Sequence, residues 1–420
     1  MEEIKKEIKE GIHLHILKTD KFKTNLIAVF LTTKLDRKTV TANALISAVL
    51  RRGSHTLKTQ EDISIQLEEL YGASFDCGID KTGDNQVLKF YIETINDEFL
   101  PQSDTNILES AMETMLDIIF DPLVENNMFQ KEYVEQEKKN MKRRIESRID
   151  NKRTYALDRC IEEMYKDKPF GLYRFGYVED LKEINEKNLY ERYMNLIKQC
   201  KIDIFISGNI NEEIERIITK NQNIEKLQER KPVYNQESDQ LQEKKGEKIE
   251  KMDVTQGKLV VGLDVHSKNE DEKYNVMIYN MILGGSANSK IFQNVREKAN
   301  LAYEASSRYL KYKDVIFVNC GIEISNYEKA FHLIKEQISD MKNGNFTEEE
   351  VENAKRTIIS SINMIDDEQD TGIMYYFGQE MSRNQQTIDE YIERIQQVTN
   401  DNIMQVAEKI EINTVYFLRN

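Results

Sequence analysis

The feature that most constrains this chain is that its second half repeats the first. The stretch Glu183 to Asn209, EINEKNLYERYMNLIKQCKIDIFISGN, reads as a polar start, an amphipathic helix, a β-rich strand and a polar stop. Gln396 to Asn420, QQVTNDNIMQVAEKIEINTVYFLRN, gives the same succession. Upstream of each ending lie strands, a helix, a strand pair and long charged helices in matching order. Self-similarity on this scale implies two copies of one α+β domain from an internal duplication. Each copy is expected as a mainly antiparallel sheet with helices packed on one face, the arrangement that buries a sheet's apolar side. The expected boundaries are 1–222 for the first domain, 223–254 for a linker and 255–420 for the second. The linker, within NIEKLQERKPVYNQESDQLQEKKGEKIEKM, is nearly devoid of apolar clusters and contains Pro232, the composition of a charged, flexible connector.

Composition removes several classes of function. No apolar run approaches the roughly 20 residues of a membrane span. The first residues, MEEIKKEIKEG, alternate in charge without an apolar signal core, so a cytoplasmic protein with no membrane partner is expected. Cys77, Cys160, Cys200 and Cys320 are scattered and form no metal-type pair, which reads as reduced thiols. The net charge of −15 disfavours a nucleic-acid partner, which needs a basic face, and suits a cationic peptide. His13 and His15 share a face of a strand, but two ligands without a third make no metal site; they and His55 read as strand and loop residues.

Leu283 to Tyr303, LGGSANSKIFQNVREKANLAY, is the chemically suggestive stretch. The pair Gly284 and Gly285, followed by Ser286, lets backbone approach a ligand closely. From Lys290 the residues Ile291, Phe292 and Val295 recur at helical spacing, carrying Arg296 near the helix end, and Asn300 breaks the helix. Leu301, Ala302 and Tyr303 lead into a β-rich run, so Arg296 and Tyr303 are expected beside the glycine loop.

This segment resembles the second-half signature of pitrilysin, insulinase and mitochondrial processing peptidase relatives, the inverzincins. The resemblance implies that Arg296 holds peptide carbonyls, that the Tyr303 hydroxyl donates to the oxyanion of the scissile bond, and that Gly284, Gly285 and Ser286 shape the substrate loop. Active members carry H-x-x-E-H in a helix of the first half, here the helix from Thr39 to Gly53. Aligned on Gly53, its three metal-site positions hold Ala44, Ser47 and Ala48, and Arg143 and Arg144 are the counterparts of the third ligand. Methyl groups ligate nothing and a cation opposes zinc. The chain therefore resembles the zinc-free, Arg/Tyr-type subunit of a bacterial two-subunit peptidase. No cofactor is expected in this chain; zinc is expected in a homologous H-x-x-E-H partner forming a heterodimer with it. The implied substrates are peptides or unfolded segments, and the chain is not catalytic alone. The alternative is a catalytically inactive scaffold or peptide-binding protein of the same fold. No phosphate loop and no nucleophile with a base at motif spacing points to another chemistry.

Overall fold

The computed structural model describes residues 2–101, 106–210, 213–227, 230–235 and 246–420. Its chain forms two compact units, and neither is continuous in sequence. The first comprises Met1–Glu146, Leu172–Glu237 and Ile365–Asn384; the second comprises Ser147–Gly171, Ser238–Met364 and Gln385–Asn420.

The first unit is built on a six-stranded sheet. Its strands are β1 (Glu2–Lys9), β2 (Ile12–Lys18), β3 (Thr24–Lys34), β4 (Ser74–Thr82), β5 (Asn85–Ile95) and β6 (Lys201–Gly208). They lie in the order β1-β2-β6-β3-β5-β4, antiparallel except for the parallel pair β2/β6. The sequence TNLIAVFLTT of β3 is continuously apolar rather than alternating, the pattern of a strand covered on both faces. Ile27, Val29 and Leu31 join the main core with Ala44, Leu45 and Val49 of the helix Val40–Leu50 and with Ala111 and Met115 of the helix Ile107–Phe120. On the other face the Phe30 ring meets Phe377 edge to face at 4.8 Å. Phe377 belongs to the helix Gln369–Ser382, which comes from far along the chain.

The second unit carries a five-stranded sheet. Its strands are β7 (Gly246–Lys251), β8 (Gly257–Asp264), β9 (Ala302–Leu310), β10 (Val315–Ile322) and β11 (Glu411–Arg419), in the order β9-β10-β8-β11-β7. Only β11/β7 is parallel. Read from β4 inward, β4-β5-β3-β6-β2 of the first sheet has the same order, directions and single parallel pair. The helix Lys152–Met164 covers one face here: Cys160, Met164, Val260, Phe317 and Tyr416 form one cluster. Each sheet thus takes one covering helix from a stretch of chain that flanks the other unit's strands.

Of the expected linker, residues 228–229 and 236–245 lie outside the described residues. The rest is tied down. The buried Arg230 guanidinium donates to the carbonyls of Ile197, at 2.7 Å, and Cys200. The Val233 N–H donates to Gln199 O at 2.7 Å, and residues 246–251 form the edge strand β7. One guanidinium and a few backbone groups suffice to order a segment whose composition is otherwise that of a connector.

Candidate functional site

The helix that starts at Lys290 widens at its end. Ala299 N–H donates to Asn294 O, five residues back, at 3.3 Å, and the backbone then reverses at Asn300 with φ 52°. A widened last turn of this kind is uncommon and recurs at functional sites. Arg296 projects from this turn with its guanidinium 4.6 Å above the Phe292 ring and Nε 3.5 Å from Glu297. β9 then begins with an irregularity: Ala302 pairs with Ile322 and Glu304 with Gly321, which leaves Tyr303 as the extra residue of a β-bulge. A bulge re-aims the side chain it carries. Tyr303 is 66% exposed, and among the described residues its hydroxyl has no hydrogen-bond partner. Arg296 and Tyr303 flank one helix-to-strand turn, and no hydrogen bond or ring contact joins them.

Gly284 and Gly285 end a widened helical turn, Met281–Gly285, that continues the helix Glu270–Asn280. A Cβ at Gly284 would lie 2.6 Å from Ser307 Oγ and 2.8 Å from Ser307 N, so this glycine lets the turn lie against β9. Gly285 is exposed, and the Ser286 carbonyl accepts from the Ser289 N–H at 3.1 Å.

In the first unit the helix Val40–Leu50 carries the three positions expected to hold metal ligands. Ala44 is fully buried in the core. Ser47 spends its hydroxyl on Ala44 O at 2.9 Å, and Ala48 offers only a methyl. Ser47 and Ala48 line a pocket of about 360 Å³ with Arg51, Arg52, Cys77, Glu137, Asn140, Met141, Arg144 and Phe175 among its walls. The one carboxylate there, Glu137, is 7% exposed and takes Arg52 Nε at 2.6 Å and Asn140 Nδ2 at 3.2 Å. Arg144 lies 4.9 Å over the Phe175 ring. Such walls do not fit zinc, which needs imidazole, thiolate or free carboxylate donors converging on one point. Of the two arginines expected opposite the metal, Arg144 reaches the pocket. Glu137 escaped the sequence reading, although Glu137, Asn140, Met141 and Arg144 stand at the spacing of one helix face in Lys131–Glu146.

A second cluster lies on the face of the first sheet under Gln369–Ser382. His13 and His15 indeed share a face of β2, and distant residues join them: an oxygen or nitrogen of His13, Asp203 and Glu380 all lie within 4.8 Å of one another. Lys201 fills the centre, donating to Asp203 and, at 3.1 Å, to Glu380. An ammonium already neutralises the carboxylates a cation would need. Burial lowers the His13 pKa, with Lys201 adding to the effect. Burial also pulls the His15 pKa down, but hydrogen bonds to Asp203 and Glu3 outweigh it and the net shift is upward.

Against this geometry the relatives are informative. A probable inactive metalloprotease of Bacillus subtilis, YmfF, is 33% identical over 97% of this chain and 96% of its own length. The profile described as Peptidase M16 inactive domain matches residues 183–358. The chain belongs to the M16 peptidase family. A second B. subtilis relative, the uncharacterized zinc protease YmxG, is 22% identical over 49% of the chain and 51% of its own length. A conserved protein of Enterococcus faecalis V583 shares the fold at a TM-score of 0.89 with 28% identity, over 100% of this chain and 98% of that one. A peptidase M16 inactive domain from Pseudomonas fluorescens, at 16% identity and a TM-score of 0.80 over 100% and 98%, shares the fold alone. Among the described residues no helix is long and apolar enough to cross a membrane.

Proposed function

We propose that this M16 chain is the zinc-free subunit of a two-subunit metallopeptidase, presenting Arg296 and Tyr303 to the metal centre of a homologous H-x-x-E-H partner. The observation that carries this reading is Tyr303, held out on a bulge with an unengaged hydroxyl. A scaffold has no use for an exposed phenol there. Peptide hydrolysis concentrates negative charge on the carbonyl oxygen, and a fixed O–H donor at that position stabilises it without reorganisation. Arg296, a fork of donors at the same turn, would hold backbone carbonyls of an extended peptide. B. subtilis has relatives described both as an inactive metalloprotease and as a zinc protease, which is consistent with divided labour. The substrates are peptides or unfolded segments.

The alternative, an inactive scaffold or peptide holder, draws on the metal-incompetent pocket and on Gly284, whose missing side chain serves packing against Ser307. The two readings part on one experiment, peptide hydrolysis by the chain mixed with its H-x-x-E-H relative. Tyr303→Phe is expected to lower the rate roughly 100-fold, the scale of one oxyanion donor. An unchanged rate would leave the scaffold reading.

A further inference from the structure

We propose that Glu304, clamped by Lys258 and Arg153, is the positioning residue that fixes the β-bulge at Tyr303 and so holds the Tyr303 hydroxyl out toward substrate. The catalytic half of this inference rests on the two-subunit reading; the half that concerns the bulge does not.

The clamp runs across three neighbouring strands. Lys258 of β8 and Glu304 of β9 are both in register with Gly321 of β10, so the three stand in one row. Gly321 contributes no side chain, and across it Lys258 Nζ reaches Glu304 Oε1 at 3.1 Å. A Cβ at Gly321 would lie 2.9 Å from Glu304 Cγ and 3.0 Å from Lys258 Nζ, in the space that the pair uses. Lys258 Nζ also donates to Gln256 Oε1 at 2.6 Å. From the helix Lys152–Met164, Arg153 Nη1 lies 3.2 Å from Glu304 Oε2, and its Nη2 donates to Ser306 Oγ, two residues along β9, at 3.2 Å. Both carboxylate oxygens of Glu304 are thus engaged. Arg153 is exposed and an exposed pair contributes little, so the weight falls on Lys258, whose side chain is 16% exposed.

The register explains why the residue after the bulge is the one that is held. Ala302, Ala305 and Ser307 are buried, and they pair with Ile322, Cys320 and Val318, alternate residues of β10 that share one face. The step of three from Ala302 to Ala305 accommodates the extra residue. Regular alternation back from Glu304 would instead set Tyr303 against Ile322, which is fully buried. The bulge therefore keeps exposed a ring that would gain by burial, and something must hold the strand in that register. Glu304 is the first residue past the bulge. Its bonds to Lys258 and Arg153 exist only while it faces Gly321, and a slip of one residue would turn it to the opposite face and break them.

The chain contains no tryptophan, so Tyr303→Trp places a single emitting ring on the bulge, where 66% exposure leaves room for it. Time-resolved anisotropy of the full chain without a partner is expected to show a ring with little fast local motion. Glu304→Gln, which keeps the shape and removes the charge, is expected to raise the amplitude of that motion roughly twofold or more, and Lys258→Gln to do the same. In peptide hydrolysis with the H-x-x-E-H relative, Glu304→Gln is expected to lower kcat roughly tenfold with KM little changed, because an oxyanion donor acts in the transition state. Combined with Tyr303→Phe it should cause no further loss, since it acts through that hydroxyl. Anisotropy that neither Glu304→Gln nor Lys258→Gln alters would overturn the clamp. A rate loss from Glu304→Gln that persists in full beside Tyr303→Phe would overturn its role through Tyr303. Should Tyr303→Phe alone leave the rate unchanged, the two-subunit reading falls and the anisotropy by itself decides the clamp.

Discussion

His15 is fully buried with both ring nitrogens against carboxylate oxygens, Nδ1 at 2.7 Å from Glu3 and Nε2 at 3.1 Å from Asp203, and its ring is stacked on Phe205 at 4.1 Å. Two acceptors need two N–H donors, which only the imidazolium has. The other charges of this cluster act on His13 of the same strand: Lys201 on β6, Glu380 on Gln369–Ser382 and Lys5 on β1, where Lys5 and Glu380 pair at 2.5 Å. Against burial, the bonds to Asp203 and Glu3 raise the folded pKa of His15 above 6.5. Stability from this group is fully present below its unfolded pKa of about 6.5 and is lost as pH rises through the raised folded value. Asp203 runs the other way: burial alone would raise it, but Lys201 and His15 bring it from 3.8 to about 2, so its contribution is fully present above about 3.8 and is lost as pH falls through about 2. Melting curves from about pH 6 to about pH 9 are expected to show a declining Tm that His15→Gln flattens. The same substitution should cost about 3 kcal/mol at low pH, because Asp203 and Glu3 lose a charged partner. Parallel slopes in parent and variant would sink the assignment. At this scale the alternation that puts His13 and His15 on one face was legible, but Asp203 and Glu380 lie too far off in sequence for spacing to reveal them. Tyr303 was legible as the start of a strand, whereas the bulge that turns it outward depends on the register with β10.

Among the elements, the helix Gln369–Ser382 shows most clearly what a linear pattern conceals. Its short polar and aromatic sequence, QDTGIMYYFGQEMS, lies far along the chain among the second unit's elements, yet it covers the first sheet. Gln369 Nε2 donates to Ser207 O at 2.8 Å, Lys89 Nζ reaches Met374 Sδ at 3.4 Å, and Phe377, 1% exposed, lies against Phe30 and Phe205. Fully buried β3 required a cover on its second face, but nothing local to β3 says which segment provides it. Truncating Phe377 to Ala would leave a ring-sized void between two aromatic neighbours in a close-packed site. The expected cost is about 4 kcal/mol, read as a fall in the denaturant midpoint. A change under about 1 kcal/mol would mean that the helix is not a packed part of this unit. By contrast Thr59 is legible as an N-cap and Gly83–Asp84 as the turn of the β4/β5 hairpin from local residues alone, and the structure adds Asp62, which returns the bond to Thr59 to complete a capping box.

Across the whole molecule, the repeated strand order was foreshadowed by the two similar endings, because each closes with a helix and a strand that enters the middle of its sheet. The exchange of covering helices left no such trace. On the function proposed above the chemistry of the chain is likewise divided: Arg296 and Tyr303 sit in the second unit, and in the first unit Ala44, Ser47 and Ala48 stand at the expected metal positions with Arg51, Arg52 and Arg144 around the pocket beside them. Zinc at that point would meet the Ala44 and Ala48 methyls, a Ser47 hydroxyl already committed to Ala44 O, and a Glu137 carboxylate engaged by Arg52. Displacing Arg52 would unpair two part-buried charges, which costs more than a single carboxylate ligand returns. The His13 cluster offers no substitute, since Lys201 occupies it. Metal analysis of the isolated chain after gel filtration is therefore expected to find far less than one zinc per chain, and zinc should leave its Tm unmoved, because a ligand stabilises only a state that binds it. One tightly held zinc per chain would refute the division of labour at its root, since the chain would then hold both halves of a peptidase site.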